Sequence, residues 1–200
     1  MHGRWASEWS ADAGVALIEV VLVAVLVLSV AALAMPLTAH AADVSRVHAA
    51  AGFLAGRVRA ARLRAVTSSA AVALVFDRSD AGWAFRLCSD GNDNGLRRAD
   101  IAANRDRCEE GPYSVADMCA GVELALAPGV PGVDGETDDD EGVRFGRSAM
   151  ASCSAAGHCS PGTLYLRSGR GQQFAVRVGG VTGRTRLLQY DVGSRRWEQR

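Results

Sequence analysis

Residues 15–35 form an uninterrupted apolar run, VALIEVVLVAVLVLSVAALAM, in which Glu19 is the single charged residue. A helix of this length, at 1.5 Å per residue, is about 31 Å long, which is close to the thickness of a bilayer core. Few helices of soluble proteins are apolar on every face for about six turns. The run therefore predicts a membrane-spanning helix over residues 15–36.

Glu19 is the feature of this run that requires an explanation. A carboxylate inside a helix of bilayer length costs about 2.5–3.5 kcal/mol on insertion scales, so it needs a partner of opposite charge. If the chain were cut between Gly14 and Val15, the new α-ammonium group could pair with Glu19 in the same chain or in a neighbouring subunit. An ordinary secretory signal, cleaved near the Ala-His-Ala sequence at residues 39–41, is the alternative interpretation.

The stretch GVALIEV at residues 14–20 resembles the class III signal of type IV prepilins and type II secretion pseudopilins. That motif has a glycine before the cut, two variable residues and then Leu-Ile-Glu. The resemblance implies a leader peptide over residues 1–14, cleavage after Gly14 by a prepilin peptidase, and N-methylation of Val15. It also implies that Glu19 serves assembly with other pilin or pseudopilin subunits, and that the chain crosses the inner membrane once with its C-terminal domain in the periplasm.

Beyond Pro36 the apolar residues follow a helical period. A 3-4-3-4-3-4 spacing connects Val44, Val47, Ala51, Leu54, Val58, Ala61 and Ala65. The pattern predicts one helix from Val15 to Val66, bent near Pro36 because proline removes a helical hydrogen bond. Residues 37–66 are then an amphipathic continuation that packs on a sheet. The arginines at 46, 57, 59, 62 and 64 lie mostly off the stripe, and we expect them to form a solvated face.

From residue 70 onward the pattern changes to short runs that are typical of β-strands. These runs, rich in β-branched or aromatic residues, lie at 71–76, 83–87, 163–167, 174–178 and 184–190, with a weaker one at 121–127. The acid-rich residues 134–142 predict a turn-rich loop. The sequence therefore predicts a β-rich globular domain at residues 67–200 and, with the helix before it, an α+β fold.

The C-terminal strands resemble those of the GspH/FimT group of minor pseudopilins and minor pilins. The resemblance lies in GTLYL at 162–166, FAVRV at 174–178 and GRTRL at 183–187, and in DGNDNGLR at 90–97. It implies the pilin fold, a long N-terminal helix packed on an antiparallel sheet. It also implies a subunit of a type II secretion or type IV pilus filament that contributes to filament assembly and protein secretion.

Basic charge is concentrated at the C-terminal end of the chain. Residues 142–200 carry ten arginines against two acids, whereas residues 77–141 carry sixteen acids against six arginines. Arg184 and Arg186 alternate along a predicted strand and should point to one face. In FimT-type minor pilins a Gly-Arg-x-Arg motif is associated with DNA binding, and residues 183–186 match it. The resemblance thus implies DNA binding for natural transformation as an alternative function, whereas solvated arginines that protect a sheet edge are the simpler interpretation.

The five cysteines all follow the apolar run. Cys153 and Cys159 lie six residues apart across a glycine-containing loop, and we expect them to form a disulfide. Cys88, Cys108 and Cys119 cannot all pair within one chain, so one of them is expected to be free or to pair with another molecule. In the periplasm, where the resemblance places this part of the chain, oxidation is expected.

No set of residues indicates catalysis, a metal site or a cofactor site. All 22 basic residues are arginine, which excludes Schiff-base and P-loop lysine chemistry. Residues 90–95 match the start of a calcium-loop pattern, but Ile101 stands where the glutamate should be, so a turn held by side-chain-to-backbone hydrogen bonds is favoured. His158 lies beside Cys159 without a Cys-x-x-Cys frame, which disfavours zinc. We expect a chain that is not an enzyme and that binds no metal or cofactor.

Overall fold

A computed structural model describes residues 9–135 and 141–200, with the side chains of residues 9–16 and 33–37 left out of the description. Within these residues the chain forms three helices: α1 (Trp9–Ser68), α2 (Arg98–Ala102) and α3 (Val115–Met118). It also forms ten strands: β1 (Val72–Ser79), β2 (Gly82–Ser89), β3 (Arg107–Ser114), β4 (Val122–Leu124), β5 (Val143–Arg144), β6 (Met150–Cys153), β7 (Gly162–Ser168), β8 (Gln173–Val178), β9 (Thr185–Asp191) and β10 (Arg196–Gln199).

Helix α1 extends beyond both predicted ends. It ends where the hydroxyls of Thr67 and Ser68 donate hydrogen bonds to the Arg64 carbonyl, at 3.1 and 2.8 Å. The next residue, Ser69, has a φ of 52°, the left-handed conformation that commonly terminates helices. The backbone is helical through residue 36, and the side chain of Pro36, where the sequence predicts a bend, lies outside the described ones.

The prediction that the first half of α1 spans a membrane is wrong. Among the residues that the structure describes, no helix is both long enough and apolar enough to cross a bilayer. The described apolar side chains at its N-terminal end cover residues 17–32, which is about 24 Å of helix, whereas a bilayer core is about 30 Å thick.

The chain divides into two compact units, one ending at Ala42 and the other comprising Asp43–Arg200. The second unit contains two sheets in place of the one that the sequence predicts. One has the strand order β3-β2-β1-β6; the other has the order β10-β9-β8-β7-β4, and β5 also pairs with β7. Every pairing between these strands is antiparallel, which confirms the α+β class with antiparallel sheets.

The main core of the second unit lies between α1 and both sheets. Of the seven stripe residues, Val44 is partly buried and the other six are fully buried, so the helical period correctly marked the packed face. Strand β1 contributes Val72, Leu74 and Phe76 to this core, and β8 contributes Phe174, Val176 and Val178. Because side chains alternate along a strand, the other residues of these strands face away from α1.

The outer face of the second sheet is partly covered by residues 125–135. Leu126 of this segment packs with Tyr165 and Ala175, which face away from α1. The backbone N–H of Val133 donates to the Tyr165 hydroxyl at 2.9 Å, and the Trp197 indole donates to the Pro131 carbonyl at 2.9 Å. These bonds hold the segment against one end of the outer face.

The predicted strands appear as β1, β2, β7, β8 and β9, and the weaker run is shortened to β4. Ser79 pairs with Gly82, so the β1–β2 connection is a two-residue turn where a longer loop was expected. Strands β3, β5, β6 and β10 are additional to the prediction.

Candidate functional site

Large apolar side chains are exposed all round α1 near its N-terminal end. Their exposed fractions range from 50% to 69%, and they are Leu17, Ile18, Val20, Val21, Leu22, Val23, Val25, Leu26, Val27, Leu28 and Val30. Contiguous exposed apolar patches on monomeric soluble proteins rarely exceed a few hundred Å². We call residues 17–30 the apolar segment, and its surface is the kind that an apolar partner covers.

Glu19 lies within the apolar segment and is itself exposed. Gly14 and Val15, the predicted cleavage site, belong to α1, but their side chains lie outside the described ones. Residues 1–8 of the predicted leader are also outside the described residues. The structure therefore places the carboxylate that the sequence singled out on an apolar helical surface.

A basic groove lies at the start of β9. It encloses about 330 Å³ and is lined by Arg177, Gly179, Thr182, Arg184 and Arg186. Arg186 lies directly opposite Arg177 in the β8–β9 register. Strand β9 begins at Thr185, one residue later than predicted, so Arg184 lies just before the strand. Among the described residues, no carboxylate forms an ion pair with Arg184 or Arg186, and both side chains are exposed.

Successive residues of the Gly-Arg-Thr-Arg motif, 183–186, contact α1 and line the basic groove in turn. The Thr185 hydroxyl accepts a hydrogen bond from Arg59 Nε of α1 at 2.7 Å. Gly183 has a φ of 60°, and a Cβ at this position would lie 2.6 Å from Cδ of Arg62. Glycine and threonine thus dock the motif on α1, while the two arginines line the groove on the opposite face of the strand.

The expectation that the arginines of α1 form a solvated face is wrong for Arg57, Arg62 and Arg64, which are half-buried, whereas Arg46 and Arg59 are exposed. Arg57 pairs with Glu110, and Arg64 pairs with Glu109, both on β3. Arg62 Nε donates to the Gly157 carbonyl at 2.8 Å. Together with Arg59, these side chains attach the helix to loops and strands that are distant in sequence.

A second hollow of about 900 Å³ adjoins the basic groove, and Arg177 lines both. Its walls include Trp83, Arg147 and Tyr165. Arg177 Nη1 lies 2.5 Å from Asp134 Oδ2 and 3.4 Å from the Thr163 hydroxyl. In the sequence Arg177 contributes only to the basic charge of residues 142–200; the cross-strand register of the β8–β9 hairpin is what places it beside the motif.

Two disulfides are present in the second unit, residues 43–200, which we call the β-domain. Cys153 and Cys159, the predicted pair, are bonded, with their Cα atoms 4.0 Å apart. Cys88 of β2 is bonded to Cys108, which lies directly opposite it on β3. Cys119 is the free cysteine, and it is half-buried.

The loop at residues 90–106 is held by hydrogen bonds from backbone N–H groups to its carboxylates. The two oxygens of Asp90 accept from Asn92 and Gly95, at 3.1 and 2.7 Å. Those of Asp106 accept from Gly91 and Arg97, at 3.2 and 3.1 Å. The turn interpretation fits these contacts, and no group of three potential metal-ligating side chains occurs among the described residues.

Among the described residues, the carboxyl groups of Asp77 and Asp191 have a pKa below the usual value. Burial raises the pKa of Asp77, but hydrogen bonds from Arg98 and Arg86 outweigh that effect and hold the pKa below its usual value. Hydrogen bonds from Ser194 lower the pKa of Asp191 in the β9–β10 turn. Asp77 therefore acts as an ionic link between β1, β2 and α2, away from the basic groove.

Comparison of the chain with protein-family models, with curated proteins and with solved structures found no match.

Proposed function

We propose that the chain is a minor pseudopilin or pilin subunit that joins a filament in the cell envelope, with its β-domain in the periplasm. The observation that carries the proposal is the exposed apolar segment with Glu19 five residues after Gly14. The disulfide-linked α+β domain that follows the segment is consistent with an oxidising compartment.

In this proposal the apolar segments of neighbouring subunits pack together as a helical bundle. Burial of the exposed valine and leucine side chains drives this packing, at about 25 cal/mol per Å² of apolar surface. A buried carboxylate without a partner is strongly destabilising. Glu19 therefore pairs with the α-ammonium group of a processed Val15, which fixes the register between subunits.

The first test concerns processing by a prepilin peptidase. Mass spectrometry of the mature chain should find an N-methylated Val15 as its first residue. Gly14→Val should block cleavage, because the resemblance assigns the residue before the cut to glycine. Gly3→Val, the same change elsewhere in the leader, should leave cleavage intact. A mature chain that begins near Ala41 would contradict the proposal.

The second test concerns Glu19. Glu19→Ala should be processed normally but should fail to co-purify with other pilin-like subunits after crosslinking in the cell. Ser29→Ala is the matched control, because the Ser29 hydroxyl already donates to the Val25 carbonyl at 2.7 Å within its own helix. Normal assembly of Glu19→Ala would remove the role that we give to this carboxylate.

DNA binding is the second candidate function, and the basic groove favours it. Three arginines line the basic groove, and two of them, Arg184 and Arg186, have no carboxylate partner among the described residues. Guanidinium groups bind phosphate oxygens with planar, bidentate geometry. Contacts of this kind would position the backbone of duplex DNA without reading its sequence.

The test uses the full chain in detergent and a short duplex DNA with a fluorescent label. Wild type should bind with an affinity that falls steeply with salt, because each phosphate contact releases counterions. Arg184→Gln/Arg186→Gln should lose binding. Arg195→Gln/Arg196→Gln removes the same charge from exposed residues at the start of β10 and should retain it. Equal binding by both double variants would eliminate this candidate.

A further inference from the structure

Arg177 differs from the other two arginines of the basic groove because it already has an anionic partner. Its ion pair with Asp134 lies where the groove meets the larger hollow, since Arg177 lines both. Arg184 and Arg186 have no such partner among the described residues. One guanidinium group in the groove is therefore neutralised from within the chain, and two are available.

Asp134 is delivered to this position by the segment that covers the outer face of the second sheet. Its neighbour Val133 is fixed by the hydrogen bond to the Tyr165 hydroxyl. The Asp134 side chain is 56% exposed and that of Arg177 is 33% exposed. Ion pairs with this much solvent access are weak, so a polyanion with a high density of charge, such as duplex DNA, can compete with the carboxylate.

We propose that Arg177 is a phosphate-binding residue of the basic groove and that Asp134 is its displaceable internal anion. This inference rests on the second candidate function, and it adds a contact and a form of regulation to the same site. In wild type the Asp134 carboxylate competes with a nucleic-acid phosphate for Arg177, so a phosphate in the groove is contacted mainly by Arg184 and Arg186. Arg177 gains its own phosphate contact once the Asp134 carboxylate has left. Asp134 thereby lowers the affinity of the groove for nucleic acid. Only a phosphate that displaces the Asp134 carboxylate allows all three arginines to contact the nucleic acid.

The experiment measures the affinity of the full chain in detergent for labelled duplex DNA over a range of salt concentrations. Asp134→Asn should bind about three- to fivefold more tightly than wild type at low salt, because one weak competing ion pair is removed. The slope of log affinity against log salt should steepen by about 0.9, the value for one additional phosphate contact.

Asp117→Asn is the matched control, because it removes the same charge from an exposed residue of α3. It should change the affinity less than Asp134→Asn does and should leave the slope unchanged. Arg177→Gln should have little effect in wild type but should abolish the gain that Asp134→Asn produces.

Three results decide the inference. A gain and a steeper slope that appear only in Asp134→Asn, and that require Arg177, support it even if wild type binds too weakly to measure. If Asp134→Asn behaves like Asp117→Asn while wild type loses binding through Arg184→Gln/Arg186→Gln, the inference is overturned and the DNA candidate survives. If no variant binds, both are overturned.

Discussion

The two ends of helix α1 place their apolar residues in opposite situations: 12 of the 14 residues 17–30 are apolar, against 14 of the 26 residues 43–68. In the apolar segment, residues 17–30, valine and leucine side chains surround the helix and are exposed. From Asp43 onward, apolar residues form one stripe, and that stripe is buried against both sheets. The comparison shows that the pattern of apolar residues determines whether a helix packs on its own domain. A helix that is apolar on every face has no polar side to turn towards water, so it needs partners all round it.

Asp43 marks the point at which the helix becomes part of the domain. It is 4% exposed, and its carboxylate accepts hydrogen bonds from the Ser168 hydroxyl at 2.6 Å and from Arg46 at 3.3 Å. A buried carboxylate is tolerated only when it has such partners. The buried stripe begins immediately after it, with Val44 and Val47.

The largest expected effect comes from the same substitution made at each end of the helix. Leu54 is fully buried in the main core, whereas Leu22 is 64% exposed. Leu54→Ala should lower the free energy of unfolding of the β-domain by about 2–5 kcal/mol, because it removes buried apolar contacts and leaves a cavity. Leu22→Ala should change it by no more than about 0.5 kcal/mol.

Urea denaturation followed by tryptophan fluorescence measures both variants of this pair. Trp83 and Trp197 report on the two sheets. Equal losses of stability in Leu22→Ala and Leu54→Ala would mean that the apolar segment is part of the domain core, which would end the distinction between the two regions.

A smaller effect is expected from the contact between α1 and the Gly-Arg-Thr-Arg motif. Gly183→Ala should destabilise the domain by about 1–3 kcal/mol, because the residue has a left-handed φ and a Cβ would press on Arg62. Gly169→Ala is the control, since a Cβ there meets nothing within 4 Å. If the two variants have the same stability, the second half of α1 does not support the motif in the way the structure indicates.

The sequence predicted the elements whose signal is periodic and local. The buried stripe of α1 and the apolar runs of β1, β7 and β8 could be recognised because each pattern lies within one short stretch. Strand β3 (RCEEGPYS) could not be recognised, because most of its side chains are exposed and it lacks an apolar alternation. Its pairing with β2 includes the Cys88–Cys108 disulfide, which only the fold brings together.

The wrong prediction for the arginines of α1 has the same cause, because their partners are distant in sequence. Arg57 and Arg64 meet Glu110 and Glu109 across 53 and 45 residues of sequence, so a helical-face argument treats them as solvated. Arg177 joins Arg184 and Arg186 only through the hairpin register. For the candidate site, the motif could be located from the sequence, whereas its third arginine and the Asp134 contact required the structure.

The smallest expected effect concerns pH, and it separates the domain from the apolar segment. Within residues 17–32 only Glu19 can ionise, whereas the domain contains the Asp77 link to Arg86 and Arg98. Because the pKa of Asp77 is lowered from 3.8, its ionic contribution to stability is present above that value and is lost as pH falls through the folded-state pKa.

The side chains involved are 34% to 43% exposed, so we expect this contribution to stay below about 1 kcal/mol. In urea titrations, Asp77→Asn should be less stable than wild type near pH 5, and the difference in stability should narrow as the pH falls below 3.8. Asp80→Asn, in the exposed turn of the same hairpin, should follow wild type at every pH. A gap that stays constant with pH would mean that Asp77 stabilises the domain through packing and neutral hydrogen bonds, and that the two regions do not differ in their response to acid through this residue.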